Sequence, residues 1–199
     1  MFYEPQAGHG LPHDPFKAIV APRPIGWIST MDEEGRLNLA PYSFFNALSS
    51  RPPMVGFSSE GMKDTPRNAR ATREFVFNLA TLPLARAMND SAAALPPGES
   101  EFEFAGLEFA PSGKVRPPRV AGSPAALECR VVDCLELRDL EGRELDRHLI
   151  VGQVVGVHID DAFLREGRFD TVAAQTLARC GYRDYAAVRE VFELLRPGE

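Results

Sequence analysis

Short apolar runs separated by turn-forming residues recur along most of the chain. Residues 25–31 alternate, with Trp27 and Ser29 on one face and Ile28 and Thr30 on the other, which is typical of a half-buried strand. The acidic, glycine-ended segment 32–35 then predicts a hairpin turn. The same pattern predicts further strands at 17–21, 37–40, 44–49, 54–58, 75–79, 126–137 and 148–159.

Helical signals are fewer. Residues 65–73 are predicted to be a helix, with Asp64 or Thr65 as its N-cap and Pro66 in its first turn. Two more helical segments are predicted at 84–94 and 185–195, and a loop at 96–109. Hairpin-linked strands with a few short helices favour a mainly β protein, an antiparallel barrel with helical additions.

Composition limits the classes of function. The 199 residues are 44% hydrophobic and 25% charged, which suits one globular domain. We expect an extended arm at 1–14, the domain at 15–185 and a helical tail at 186–199. The net charge of −6 opposes binding to nucleic acid or an anionic membrane. The absence of a long apolar run or signal-peptide core makes the cytoplasm the expected location.

The chain contains three cysteines, which cannot form a framework of paired disulfides. Cys129 and Cys134 fall within one predicted strand. Their odd spacing predicts opposite faces, so we expect reduced thiols and no shared metal ion.

A first candidate site lies at the start of the helix predicted at 65–73. Lys63, Thr65 and the helix N-terminus would all attract a phosphate group, and Arg23 and Arg67 could add positive charge. A capped helix with solvated charges is the alternative interpretation.

A second candidate site lies in the strands before that helix. Pro41 predicts a sheet edge or a bulge, and a bulge would free the backbone of residues 40–43 to bind the polar edge of a ring. Aromatic and small polar side chains surround this point, although the aromatic residues could equally be core: Trp27, Ser29, Thr30, Tyr42, Ser43, Phe44, Phe45 and Asn46.

No catalytic side chain can be assigned. The sequence lacks a G-x-S-x-G elbow and an H-E-x-x-H motif, and His158 is interpreted as a satisfied strand histidine. Glu99, Glu101 and Glu103 alternate with phenylalanines, which predicts a surface edge or loop and not an acid/base pair. A good pocket with few catalytic side chains is compatible with a cofactor enzyme.

Several long motifs in order resemble the flavin reductase-like, FMN-binding split-barrel family over roughly residues 15–185. They are A-P-R-P-I-G-W-I-S-T, G-R-L-N-L-A-P-Y-S-F-F-N-A-L-S, P-P-M-V-G-F-S, K-D-T-P-R-N-A-R-A-T-R-E-F-V-F-N, E-F-E-F-A-G-L, R-P-P-R-V-A-G-S-P-A-A-L-E-C and V-G-Q-V-V-G-V-H-I. The resemblance implies a Greek-key split β-barrel that forms a homodimer, with one FMN per subunit near the dimer interface.

The resemblance also implies which residues bind the cofactor. Trp27, Ser29 and Thr30 would line the flavin, together with the segment that contains Asn38, Ala40, Pro41, Tyr42, Ser43 and Asn46. Lys63, Asp64 and Thr65 would hold the phosphate end. One departure concerns the motif R-L-G-G-x-x-Y, whose second glycine is Tyr182 here. If that segment reaches the flavin, access for a nicotinamide or substrate would differ.

Three functions remain open at this point. The first is an oxidoreductase in which FMN accepts hydride from NADH or NADPH and passes electrons on, with a protein electron partner as one candidate acceptor. The second is a flavoredoxin-like FMN-binding electron carrier without a nicotinamide site of its own. The third is a structural dimer that has lost the cofactor.

Overall fold

The computed structural model describes residues 1–96 and 98–198. Its helices are α1 (Phe16–Ile19), α2 (Asp64–Thr72), α3 (Ala85–Asp90) and α4 (Glu101–Phe104), with 3-10 turns at Pro5–Ala7, Leu82–Leu84 and Asp161–Phe163. Its strands are β1 (Arg23–Pro24), β2 (Gly26–Met31), β3 (Leu37–Tyr42), β4 (Phe45–Ser50), β5 (Pro53–Glu60), β6 (Glu74–Leu79), β7 (Phe109–Ala110), β8 (Arg119–Val120), β9 (Ala125–Arg138), β10 (Glu144–Ile159), β11 (Leu164–Arg165), β12 (Arg168–Phe169), β13 (Leu177–Gly181) and β14 (Asp184–Ala187).

A seven-stranded antiparallel sheet forms the body of the protein, in the order β3-β2-β6-β9-β10-β5-β4. Its two edge strands, β3 and β4, are consecutive in the chain and separated by only Ser43 and Phe44. The sheet therefore curls until its two edges approach each other, which makes the predicted antiparallel barrel.

The barrel interior and the outer face of β2 carry separate apolar cores. Ile28, Phe57, Phe75 and Ile150 are fully buried members of the first core. Gly152 is needed there because a Cβ at that position would lie 2.4 Å from the Phe75 ring. Such tight packing leaves no room for a side chain at this point of β10.

The second core lies against the other face of β2. Trp27, Leu39, Met88 and Phe102 belong to it, with Trp27 fully buried. The predicted alternation along β2 is therefore confirmed, since Ile28 faces the first core. Elements α3 and α4 cover this face, and α4 also lines the cleft described below.

Asn78 on β6 joins the barrel to the segment before β9. Its Nδ2 donates to the Trp27 carbonyl (3.1 Å) and to Ser29 Oγ (3.2 Å), while its Oδ1 accepts from the Val120 N–H (2.7 Å). The Ser29 hydroxyl in turn donates to the Pro118 carbonyl at 2.5 Å. These buried hydrogen bonds fix β8 on the outside of the sheet.

Three sequence-based predictions of local structure away from the cleft are wrong. Residues 17–21 are not a strand: Phe16–Ile19 is a helical turn, and the Phe16 N–H donates to Asp14 Oδ1 (2.9 Å). No helix forms at 185–195, because 184–187 is strand β14 and 188–198 has no regular structure. A short apolar run does not by its periodicity distinguish strand from helix.

The third error concerns the cysteines of β9. In the pairing with β10, Gly152 lies opposite Val131 and Val151 lies opposite Asp133, so Val132 is an extra residue in a bulge. The bulge reverses the alternation, and both Cys129 and Cys134 pack against the barrel core. All three cysteines are free thiols.

Candidate functional site: a cleft at the start of α2

A cleft of about 1030 Å³ lies between β3, the start of α2 and the segment from Ser91 to Phe109. Seven of the thirteen residues proposed from the sequence line it: Asn38, Ala40, Pro41, Tyr42, Lys63, Asp64 and Thr65. Residues from both candidate sites of the sequence analysis therefore line one cavity. Its volume lies at the upper end of the range for pockets that enclose small organic ligands.

The N-terminus of α2 faces this cleft without a side-chain cap. Lys63 is the N-cap residue, in place of the predicted Asp64 or Thr65, and its side chain accepts no hydrogen bond from the first turn. Amide N–H groups at an uncapped helix start, together with the helix dipole, attract an anion. The exposed Lys63 ammonium group adds a full positive charge at the same place.

Asp64 is the one acidic residue in the first turn of α2. Its carboxylate forms an ion pair with Arg67, one turn further along the helix. This pairing partly offsets the negative charge that would otherwise oppose an anion at the helix start. Both side chains are largely exposed, so the pair is a weak one.

A buried amide–hydroxyl network fixes the cleft floor. Asn38 Nδ2 donates to Thr65 Oγ1 (2.7 Å) and to Thr30 Oγ1 (3.2 Å), and Asn68 Nδ2 also donates to Thr30 Oγ1 (3.3 Å). Strands β2 and β3 are thereby tied to α2. Thr30 does not line the cleft, but it holds two residues that do.

Tyr42 closes the floor beside this network. Its ring packs on Phe57, with centroids 4.8 Å apart. Burial raises the pKa of its hydroxyl, and hydrogen bonds with Thr65 and Ser59 offset part of that effect. The phenol is therefore neutral at physiological pH and serves as a fixed hydrogen-bonding group.

Glu101 is a cleft residue that the sequence analysis missed. It was assigned to a surface edge or loop, yet it is buried on α4, and its Oε2 accepts from the Leu39 N–H (3.0 Å). Burial raises the pKa of this carboxyl, and the nearby Asp64 carboxylate raises it further. The alternation of Glu with Phe at 99–104 contained no signal for a helix.

The predicted bulge at residues 40–43 is absent. Strand β3 pairs with β2 in unbroken register from Leu37 to Tyr42, and Pro41 lies opposite Trp27 on this edge strand. The prediction that Pro41 marks a sheet edge is confirmed. The backbone groups of this segment that face β2 are thus engaged in the sheet, and side chains of β3 form part of the cleft wall.

The remaining six proposed residues lie outside the cleft. Trp27 and Ser29 are buried on the outer face of β2, where Trp27 Nε1 donates to Ser91 Oγ (2.9 Å). Arg23 is buried and donates to the Lys17 and Val20 carbonyls. Ser43 and Asn46 lie at and beyond the turn into β4, and Thr30 lies beneath the floor. Their contact with a flavin stays a prediction.

Two further features of the described part of the chain bear on function. No group of three or more His, Cys, Asp or Glu side chains within residues 1–96 and 98–198 is arranged to hold a metal ion. In the same ranges, every helix is too short or too polar to cross a membrane.

The fold and the cleft together define a split-barrel protein with a large cleft at the start of its helix α2. The sequence matches the family model for the flavin reductase like domain over residues 20–173. The chain therefore belongs to the flavin reductase-like family.

Known relatives agree with this assignment. An uncharacterized protein of Deinococcus radiodurans is 40% identical over 90% of this chain and 82% of its own length. The crystal structure of nitrilotriacetate monooxygenase component B from Bacillus cereus is 31% identical and covers 98% of both chains, with a TM-score of 0.88. The split barrel domain of a Shewanella frigidimarina protein is 23% identical, with 92% and 90% of the two chains covered and a TM-score of 0.82. The expected Greek-key split β-barrel is thus confirmed.

Proposed function

We propose that this protein binds FMN in the cleft and acts as an oxidoreductase that takes hydride from NADH or NADPH and passes electrons to an acceptor. The observation that carries the proposal is the uncapped N-terminus of α2, which opens into a cleft of about 1030 Å³ beside Lys63. A terminal phosphate needs such a donor set, and membership of the flavin reductase-like family supports a flavin as the rest of the ligand.

The residues present fit FMN in charge and in shape. Lys63 and the first-turn N–H groups of α2 would bind the phosphate, and the Thr65 hydroxyl lies beside them, held by Asn38. Ala40, Pro41 and Tyr42 give the neighbouring wall an apolar and aromatic surface suited to a flat ring. When bound, FMN supplies the capacity to accept a hydride and release electrons singly or in pairs.

The protein's own contribution is to orient the ligand and exclude water. The Thr30–Asn38–Thr65–Asn68 network fixes the floor before any ligand arrives, so little ordering remains to oppose binding. We assign no acid or base side chain, because hydride transfer itself moves no separate proton.

The test is an anaerobic titration of purified protein loaded with FMN. Loss of the oxidised-flavin absorbance within seconds of adding NADH or NADPH is the expected result, and the faster coenzyme identifies the nicotinamide. A protein that binds FMN but is reduced by neither coenzyme would instead be a flavoredoxin-like electron carrier. Failure to take up FMN at all would overturn the proposal.

We also propose a homodimer that works with a protein electron partner in the cytoplasm. Several apolar side chains on β4 and the β9–β10 ribbon are more than a third exposed: Leu48, Val132, Leu135, Leu137 and Leu145. A second copy would cover this surface. The partner is supported by likeness to one component of a monooxygenase, and the location by three free thiols.

Sedimentation tests the dimer. The wild-type protein is expected to be dimeric at micromolar concentration and Leu135→Glu monomeric, while the neighbouring exposed change Glu136→Gln leaves the dimer intact. A monomeric wild-type protein would overturn this part of the proposal without touching FMN binding.

A further inference from the structure

A second, smaller cavity of about 270 Å³ lies outside the cleft, where β8 meets the end of β10. Its lining includes Arg119, Ala121, Pro124, His158, Ile159 and Asp160. It lies across the β7–β8 pair from the cleft, because Phe109 lines the cleft and the paired strand carries Arg119.

Arg119 is the unusual member of this cavity. Its Nε is buried and has no hydrogen-bond partner among the described residues. Arg23 also has an unpaired buried Nε, but two backbone carbonyls hold the rest of its guanidinium group. Among the residues that the structure describes, no such pair of carbonyls holds Arg119. A buried guanidinium donor without an acceptor is costly unless a ligand or water supplies one.

His158, which also lines the cavity, already has a hydrogen-bond partner. His158 Nε2 lies 2.5 Å from Glu128 Oε1. The buried Glu128 carboxylate also accepts from the N–H groups of Gly113 (2.7 Å), Lys114 (2.5 Å) and Val115 (3.1 Å). Because His158 and Glu128 satisfy each other, neither accepts a hydrogen bond from the Nε–H of Arg119.

Asp160 limits what the cavity can accept. Its Oδ1 accepts from the Ala162 N–H (2.9 Å), and within the described residues it forms no ion pair with Arg119. A ligand with two negative charges would therefore meet a carboxylate beside the guanidinium group. Ala121, Pro124 and Ile159 offer space for a short apolar chain.

We propose that this cavity is a binding site for a short-chain monocarboxylate, whose carboxylate group accepts hydrogen bonds from Arg119 while its alkyl chain contacts Ala121, Pro124 and Ile159. A guanidinium fork matches a carboxylate in geometry, and one negative charge is what the neighbouring Asp160 tolerates. The site is separate from the flavin cleft, so it stands whether or not the protein binds FMN.

The test follows the arginine Nε–H signals of the ¹⁵N-labelled full chain by NMR. Sodium butyrate is titrated at constant ionic strength, with sodium chloride replaced in proportion. We expect one Nε–H signal, absent in Arg119→Gln, to shift saturably with butyrate. The Kd measured by calorimetry should rise about tenfold or more in Arg119→Gln. Arg168→Gln, a change at an exposed arginine of β12, should leave it within about twofold.

Other outcomes decide against the proposal. A shift that stays linear in butyrate, or that is equal in Arg119→Gln, would overturn the site. Saturation by inorganic phosphate but not by butyrate would show that the cavity prefers a phosphate group and would overturn the monocarboxylate assignment. Should Arg119→Gln fail to fold, Arg119→Lys keeps the charge without the fork, and the wild-type titration remains decisive.

Discussion

The side-chain amide of Asn38 lies 2.7 Å from the hydroxyl oxygen of Thr65 and joins the edge strand β3 to the first turn of α2. Asn38 and Thr65 are 27 residues apart, so this contact sets the position of the helix start relative to the sheet. Both residues line the cleft, so this link helps to set its shape.

Removing the link should loosen both the fold and the ligand site. Asn38→Ala leaves the Thr30 and Thr65 hydroxyls without this donor, and we expect the free energy of unfolding to fall by about 1–3 kcal/mol. Urea unfolding measures this. Asn46→Ala removes an exposed amide that bonds only its neighbour's N–H, so its effect should stay within about 0.5 kcal/mol. Equal effects would show that Asn38 does not brace the cleft.

Replacing Lys63 should weaken the binding of FMN but not of riboflavin, which lacks the phosphate. In Lys63→Met, the Kd for FMN is expected to rise about tenfold, because one charge on the phosphate is lost, while the Kd for riboflavin stays unchanged. Quenching of flavin fluorescence measures both. Lys114→Met removes an exposed lysine outside the cleft and provides the control. An equal loss of affinity for FMN and riboflavin would mean that Lys63 does not bind the phosphate.

Glu101 should make the protein less stable as the pH rises. Its pKa is raised in the folded state, so charging it costs stability from about pH 4.3, the unfolded pKa, up through the raised value. Glu101→Gln keeps an acceptor for the Leu39 N–H and removes the charge. We expect the free energy of unfolding of Glu101→Gln to exceed that of the wild type by about 1 kcal/mol at pH 8 and to match it near pH 4.

The control for this experiment is Glu103→Gln, an exposed change on the same helix. It should change stability little at either pH. If Glu101→Gln were less stable than the wild type at pH 8, the carboxylate would be the form that the fold prefers.

Glu128 should show the opposite pH dependence. Burial alone would raise its pKa, but the N–H groups of Gly113 and Lys114 and the contact with His158 outweigh burial and lower it. Its contribution is therefore present above about pH 4.3 and lost as the pH falls through the lowered folded value. The free energy of unfolding of Glu128→Gln should be lower than that of the wild type by about 2–3 kcal/mol at pH 7, and by much less below pH 3.

Urea unfolding of Glu128→Gln and the wild type across this pH range measures the effect. Glu136→Gln is the control on the same strand, where the side chain is exposed. A deficit of Glu128→Gln that did not shrink in acid would mean that packing, and not the charge, is responsible.

Tyr182 tests the departure from the R-L-G-G-x-x-Y motif. Its φ of 43° is in the left-handed region, which glycine adopts without strain. Its ring contacts His13 of the N-terminal arm, with centroids 5.9 Å apart, and it does not line the cleft. Tyr182→Gly and Tyr182→Ala both lose the ring, so we expect the glycine variant to be more stable by about 1 kcal/mol in urea unfolding. Equal stabilities would show that the turn is unstrained.

Local pattern was enough to predict much of this fold. The alternation along β2 and the capping and proline signals of α2 are properties of neighbouring residues, so both elements were predicted within one or two positions. The β9 bulge at Val132 was not predictable in this way, because it depends on how β10 pairs with β9. The prediction for the short α1 turn failed for the same reason. Packing against β13 helps to hold α1, and Gly181 of β13 lies directly beside Ala18.

The same distinction between local pattern and long-range packing explains which cleft residues the sequence predicted. The sequence located the wall of the cleft at the start of α2, where a positive charge and a helix N-terminus coincide at Lys63–Thr65. It did not locate Glu101 or Asn68, because these residues reach the cleft only after distant elements pack together. Trp27 and Ser29 were proposed from the aromatic and small polar pattern and from the family resemblance. They are buried on the outer face of β2, and their contact with a flavin stays a prediction.

The exposed edge of strand β3 is protected against pairing with other molecules. An exposed strand edge can pair with a strand of another molecule and begin aggregation. Here Pro41 offers no N–H, and the outward N–H of Leu39 is occupied by Glu101. Two consecutive outward positions of the strand therefore cannot donate a hydrogen bond to a strand of another molecule.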